Sequence, residues 1–200
     1  MRQVIIGFTT EGTTDTRFLE GIIQRSFDEI AFECSGQIEI LPVQFINNRG
    51  DDFINMVKNC AYDAEELGVM VLCIHVDADF HSDTKIFNNK INPSFNSINE
   101  LNDEPVCKNL VAIVPVQMTE AWMLSDIDLI KNEIGTDKSN NELGIHKFPE
   151  NYANPKKAIE DAIRIARESY VKRRRRDLTI SELYLPIGQK LDLTKLDNLP

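Results

Sequence analysis

Val69-Met70-Val71-Leu72-Cys73-Ile74-His75-Val76, followed at once by Asp77-Ala78-Asp79, is the stretch whose pattern sets the architecture. It is almost wholly apolar, as expected of a strand buried on both faces of a parallel sheet. Gly68 before it is a helix stop. The helix it stops covers residues 51–67, with Phe53, Ile54, Val57, Ala61, Ala64 and Leu67 on one side. Further upstream, Ile38, Ile40, Pro42-Val43 and Phe45 mark a strand over 38–46, and its proline suggests an edge or a bulge. Residues 15–30 read as a helix, with Phe18, Leu19, Ile22, Ile23, Phe27 and Ile30 at spacings of three and four. Residues 3–9 form a short Val/Ile-rich strand. Downstream, the polar, Asn-rich residues 80–92 read as a loop, 94–104 as a short helix and 110–116 as a fourth strand. Strands alternating with helices predict an α/β fold: a central parallel sheet of about four strands with helices on both faces.

Beyond this core, residues 119–133 read as one helix carrying Trp122, Met123, Leu124, Ile127 and Ile130. Residues 135–152 read as a surface loop. Pro155 opens a helix to about residue 172, with Ala158, Ile159, Ala162, Ile163, Ile165 and Ala166 facing inward. A tail with Leu183, Leu185, Ile187, Leu191, Leu193, Leu196 and Leu199 ends the chain. Residues 1–133 are thus the α/β core, and 134–200 a loop and helical extension of the same domain.

The 200 residues suffice for one domain, and 42% apolar with 27% charged residues is ordinary for a soluble protein. No apolar run approaches the roughly 20 residues of a membrane span. Met1-Arg2-Gln3 leads directly into a strand, without a secretory pattern. A cytoplasmic protein without membrane association is expected. Cys34, Cys60, Cys73 and Cys107 are widely spaced, which suits reduced thiols better than zinc or disulfides, and Cys73 reads as core. The net charge of −10 argues against broad nucleic-acid binding. Against that background, Lys172-Arg173-Arg174-Arg175-Arg176 is a candidate nucleic-acid-binding run; a solvated helix end or a dock for an acidic partner are its other readings.

The chemistry-bearing residues are carboxylates at strand ends. Glu11 follows the first strand within Thr10-Glu11-Gly12-Thr13-Thr14-Asp15. Gly12 permits a tight turn, Thr13 or Thr14 can cap the next helix, and Asp15 suits that helix's positive end. None of these reasons accounts for Glu11. Asp77 and Asp79, at i and i+2 on a strand end, are expected to point the same way and to share or divide hard cations such as Mg2+. Asp83 follows in the loop. Thr119 can cap the helix that bears Glu120, and Asp126 reads as an acid behind the site or a surface residue. His75 shares a face with Asp77 and reads as buried and hydrogen-bonded, or as an acid–base or supporting group. His81 is placed to approach a phosphate. Trp122 reads as core. Lys156 and Lys157 are candidates for phosphate contacts. No P-loop pattern is present.

These motifs resemble the Toprim (topoisomerase–primase) domain, whose pattern is a Glu after the first strand in a Gly-containing turn and a DxD after a later strand. Glu11-Gly12 and Asp77-Ala78-Asp79 carry the resemblance. Glu120-Ala121-Trp122-Met123-Leu124-Ser125-Asp126 is similar to small stand-alone Toprim-like proteins of bacteria, often encoded beside an AAA-type ATPase and related to the nuclease half of overcoming-lysogenization-defect proteins. Two features depart from the pattern: Phe80 and His81 stand where a glycine usually follows the DxD, and no lysine is assigned. The resemblance implies a Toprim/Rossmann-like fold and another helix beyond Pro200. It also implies Mg2+- or Mn2+-dependent hydrolysis of nucleic acid, in phage defence or repair, with an ATPase partner. In that scheme Glu11, Asp77 and Asp79 are primary metal ligands, Glu120 completes the second ion's shell, and Asp15 and Asp83 come next. A non-catalytic module that binds an ATPase partner or a ligand is the alternative.

Overall fold

The computed structural model describes residues 2–47, 49–171, 173–174 and 177–199. The first strand is interrupted at Ile5 into β1 (Arg2–Val4) and β2 (Ile6–Thr9). Helix α1 (Thr13–Glu33) returns the chain to a second, broken strand, β3 (Ile38–Ile40) and β4 (Gln44–Phe45). The break between β3 and β4 contains Pro42, which has no N–H to give a ladder. Helix α2 (Phe53–Glu66) follows, capped by the Asp52 carboxylate on the Asn55 N–H and ended before Gly68, whose φ is 72°. Then come β5 (Val71–His75), a helical stretch described below, and β6 (Leu110–Ile113). β1 pairs with β3, and the main sheet has the order β4-β2-β5-β6, all parallel. The expected α/β fold with a four-stranded parallel sheet is what forms, and β4, just after the proline, is an edge.

β5 is buried on both faces. Leu72 and Ile74 pack with Val57, Cys60, Ala61 and Ala64 of α2. Cys73 packs on the other side with Ile6, Phe8 and the buried stripe Phe18, Leu19, Ile22 and Ile23 of α1. By strand alternation His75 and Asp77 continue the Cys73 face.

The stretch after β5 departs from the expected loop. Residues from Thr84 to Asn99 are helical: α3 (Thr84–Ile86), a π turn (Phe87–Ile91) and α4 (Asn92–Asn99). Ile91 and Ile98 are buried, and α4 packs on α2. The Asn92 N–H bonds back to Phe87 O, and Pro93 next to it has no N–H to give, so the wide turn takes up the break that the proline makes.

Residues 119–133 are two helices rather than one, α5 (Thr119–Met123) and α6 (Ile127–Ile134). Asp126 splits them by accepting the Leu129 N–H as N-cap, 3.1 Å away. The expected surface loop after them is packed. It holds α7 (Asn140–Leu143), opened by a Ser139/Glu142 capping box, and buried Leu143, Ile145 and Tyr152. Helix α8 (Pro155–Ala166) is shorter than expected, and Asn154 caps it. Helix α9 (Tyr184–Lys190) lies against α1, where Gly21 meets Gly188. Leu183, Ile187 and Leu191 enter the same hydrophobic cluster as Ile6 and Phe8, so the extension completes one face of the sheet. Among the described residues no helix is long and apolar enough to cross a membrane.

Candidate active site

The strand order puts the carboxyl ends of β2 and β5 side by side, with Thr9 opposite Ile74. Two residues beyond Thr9 the chain reaches Glu11; three beyond Ile74 it reaches Asp77. From β2 the connection runs outward to β4 on one flank, and from β5 it runs outward to β6 on the other. Such a switch point opens a crevice at the carboxyl edge of a parallel sheet.

Asp77 is the best-supported of the acids. Its Oδ1 accepts the Thr119 N–H at 3.1 Å and lies 3.4 Å from the Thr119 hydroxyl. His75 Nε2 is 3.2 Å from both that hydroxyl and the same carboxylate oxygen. His75 is buried, and its Nδ1 has no partner among the described residues. Thr119 does not cap α5 with its side chain, contrary to the sequence expectation; its hydroxyl is turned to His75 and Asp77 instead. Thr13 and Thr14 likewise give α1 no side-chain cap. Thr10 and Thr16 tie the Glu11 turn instead, both hydroxyls bonding Gly12 O and each other.

Asp79 lies past the end of β5. Its φ of 52° is left-handed, the one positive value among described non-glycine residues. Such a backbone is unfavourable for a residue with a side chain, though Asp tolerates it better than most. The turn is held by the Asp79 N–H on Gln117 O and the Phe80 N–H on Val116 O.

The acids sense one another. Partial burial raises the pKa of Glu11; Asp77 and Asp79 push it further up, while Lys90, 3.8 Å away, opposes. Burial also raises Asp15, with Asp77 adding and His75 and Thr119 opposing. Glu120 is buried and its pKa is raised by that burial. The Tyr184 hydroxyl donates to it and opposes the shift, and Asp15 adds to it. Glu120 therefore faces inward, where Tyr184 engages it. Lys156 is exposed, yet close enough to Glu120 to favour its charge.

Sequence reasoning missed Glu150. It is half-buried, accepts the Gln117 N–H at 2.9 Å through Oε2, and its pKa is raised by burial and then by Asp77. Its Oε1 is buried without a partner among the described residues. Nothing in the polar loop around it signalled this. Tyr184 was also missed, standing in the Leu-rich tail 64 residues from Glu120.

Other candidates lie elsewhere or have other partners. Asp126 caps α6 and pairs with Lys195 at 2.6 Å. Asp83 starts α3 with no side-chain bond to it. His81 is exposed against the Phe80 ring. Trp122 packs on the core. In the basic run, Arg173 and Arg174 are exposed, and Lys172, Arg175 and Arg176 lie outside the described residues.

The donor set, carboxylate oxygens with one imidazole behind them, has the hardness that Mg2+ or Mn2+ prefers. Among the described residues, however, no three His, Cys, Asp or Glu side chains converge closely enough to hold a metal ion. A cation there would require these carboxylates to turn toward one another. Comparison with family models, curated proteins and solved structures finds no match for this chain.

Proposed function

We propose that this chain is a divalent-metal-dependent nuclease of the Toprim kind, working with an AAA-type ATPase partner in bacterial defence or repair. The observation that carries the reading is the meeting of Glu11 and Asp77 at the carboxyl ends of adjacent parallel strands, with Asp15, Asp79 and Glu150 within electrostatic reach. Glu11, Asp77 and Asp79 are the residues that would hold Mg2+ or Mn2+. A bound divalent cation would supply an activated water and a stabilised leaving oxygen. The Thr119 N–H and His75 fix one oxygen of Asp77 and leave the other for a ligand. Lys90 beside Glu11 and Lys156 near Glu120 are cations at the rim that would meet phosphate oxygens. With a net charge of −10, the chain gains from a partner or the 172–176 run for affinity to a nucleic-acid backbone.

One observation favours the second reading, a non-catalytic module of the same kind. Among the described residues the acids are not gathered into a group of three, and Glu120 is engaged by Tyr184. A Mn2+-supplemented cleavage assay on single- and double-stranded DNA and RNA, run beside Mn2+ calorimetry, separates the two. The nuclease reading expects cleavage that Asp77→Ala abolishes. Mn2+ binding without cleavage selects the non-catalytic module. Neither binding nor cleavage removes the metal site altogether.

A further inference from the structure

The opposite end of α1 carries an arrangement that the acid site does not use. α1 is 21 residues long, so its last turns lie about 30 Å from Glu11. There Phe32 is 93% exposed and Ile30 54%, on a helix whose earlier apolar residues are buried. Glu29 and Glu33, four apart, share a helix face that runs between these two side chains. On one side a groove of about 280 Å³ joins Glu29, Ile30 and Glu33 to Leu193 and Leu196 of the last helical turn. On the other, Asp28 and Phe32 line a second concavity that shares Glu29 and Glu33.

The charges at this end have the wrong sign for the helix alone. A helix C-terminus carries partial negative charge and is stabilised by cations. The last turn of α1 contains no basic residue. Asp28, Glu29, Glu33 and neighbouring Asp197 are exposed, and none takes part in an ion pair among the described residues. The nearby cations are committed elsewhere: Lys195 to Asp126, Lys190 to Glu133, and Arg25 to Gly188 O. Like charges at i and i+4 repel, which disfavours the helix in the free chain.

We propose that this end of α1, with the turn at Leu193–Asn198, docks a cationic amphipathic segment of another protein, one that sets Lys or Arg on the Glu29/Glu33 ridge and bulky apolar residues on Phe32 and Ile30. The inference is independent of phosphodiester chemistry, since the surface and the acid site stand at opposite ends of one helix.

The test titrates the full chain with a synthetic helical Leu/Lys peptide and with its Leu/Glu counterpart, at physiological salt. The expected result is saturable 1:1 binding of the Leu/Lys peptide alone, weakened roughly tenfold or more by Phe32→Ser and by Glu29→Gln with Glu33→Gln. The double variant is also expected to melt no lower than the wild type, because it removes a repulsion; a merely structural pair of acids would lower it. Equal binding by wild type and both variants would mean that the peptide reads only net charge, and would overturn the proposal. So would no binding, or concentration-dependent self-association that Phe32→Ser abolishes, which would make a second copy of this chain the occupant.

Discussion

Glu120 and Tyr184 bury a carboxyl group and a phenol against each other, and burial raises both pKa values. A carboxyl whose folded pKa is raised contributes stability that is complete below its unfolded value, near 4.5, and is lost as pH rises through the folded value. Glu120→Gln keeps an oxygen for the phenol and removes the charge. Urea denaturation is therefore expected to find the two proteins equal near pH 4 and the variant ahead by about 1 kcal/mol at neutral pH. Glu120→Ala instead strands the buried phenol and costs about 1–3 kcal/mol. Equal stability of Glu120→Gln and wild type at every pH would mean that the carboxylate carries no buried charge. Glu120 was legible as a candidate because it opens a helix soon after an apolar strand. Its partner was not, since Tyr184 sits among leucines in a tail with no polar pattern. Glu150 escaped for the same reason: its link to Asp77 and Gln117 is made entirely across the fold.

Among the elements, α1 and α9 meet backbone to backbone. A Cβ on Gly188 would collide with Phe18 O, and one on Gly21 would stand 2.7 Å from Gly188 O. Gly188→Ala is expected to push the helices apart, at a cost of about 1–3 kcal/mol or more, read as a lower urea midpoint. Because α9 carries Tyr184, the same variant should also loosen Glu120; an unchanged midpoint would show that the crossing tolerates a methyl group. The helices α1, α2 and α8 were legible from spacings of three and four and from Gly68 and Pro155. A helix over 94–99 was expected, but the helical turns from Thr84 to Ile91 were not, because their polar residues outweigh Phe87 and the buried Ile91. The single helix expected over 119–133 was broken by Asp126, whose carboxylate competes for backbone N–H groups.

In the whole molecule the sheet separates two hydrophobic clusters, one under α2 and α4, the other under α1 and the C-terminal helices. The thiols report on both. Cys34 is exposed, while Cys60, Cys73 and Cys107 are buried, and burial pushes Cys73 up to about 12. Ellman's reagent is expected to titrate one thiol per native chain and four in denaturant; more than one in the native state would mean that a cluster opens on the assay timescale.

The amino-acid sequence by itself determined the strands, most of the helices and the placing of Glu11 and Asp77 just past strand ends. Those properties are local: an apolar run, a helical spacing or a glycine stop acts within a few residues. Only the tertiary structure decided the order β4-β2-β5-β6, which makes Glu11 and Asp77 neighbours, and the arrival of Thr119 and Glu150 near Asp77 and of Tyr184 on Glu120. Parallel strands must be joined by crossovers, so the groups that meet at their carboxyl ends come from segments tens of residues apart. Their meeting is fixed by how both faces of the sheet are covered, which no short-range pattern encodes. The carboxylates at the strand ends were written in the chain; their company was set by packing.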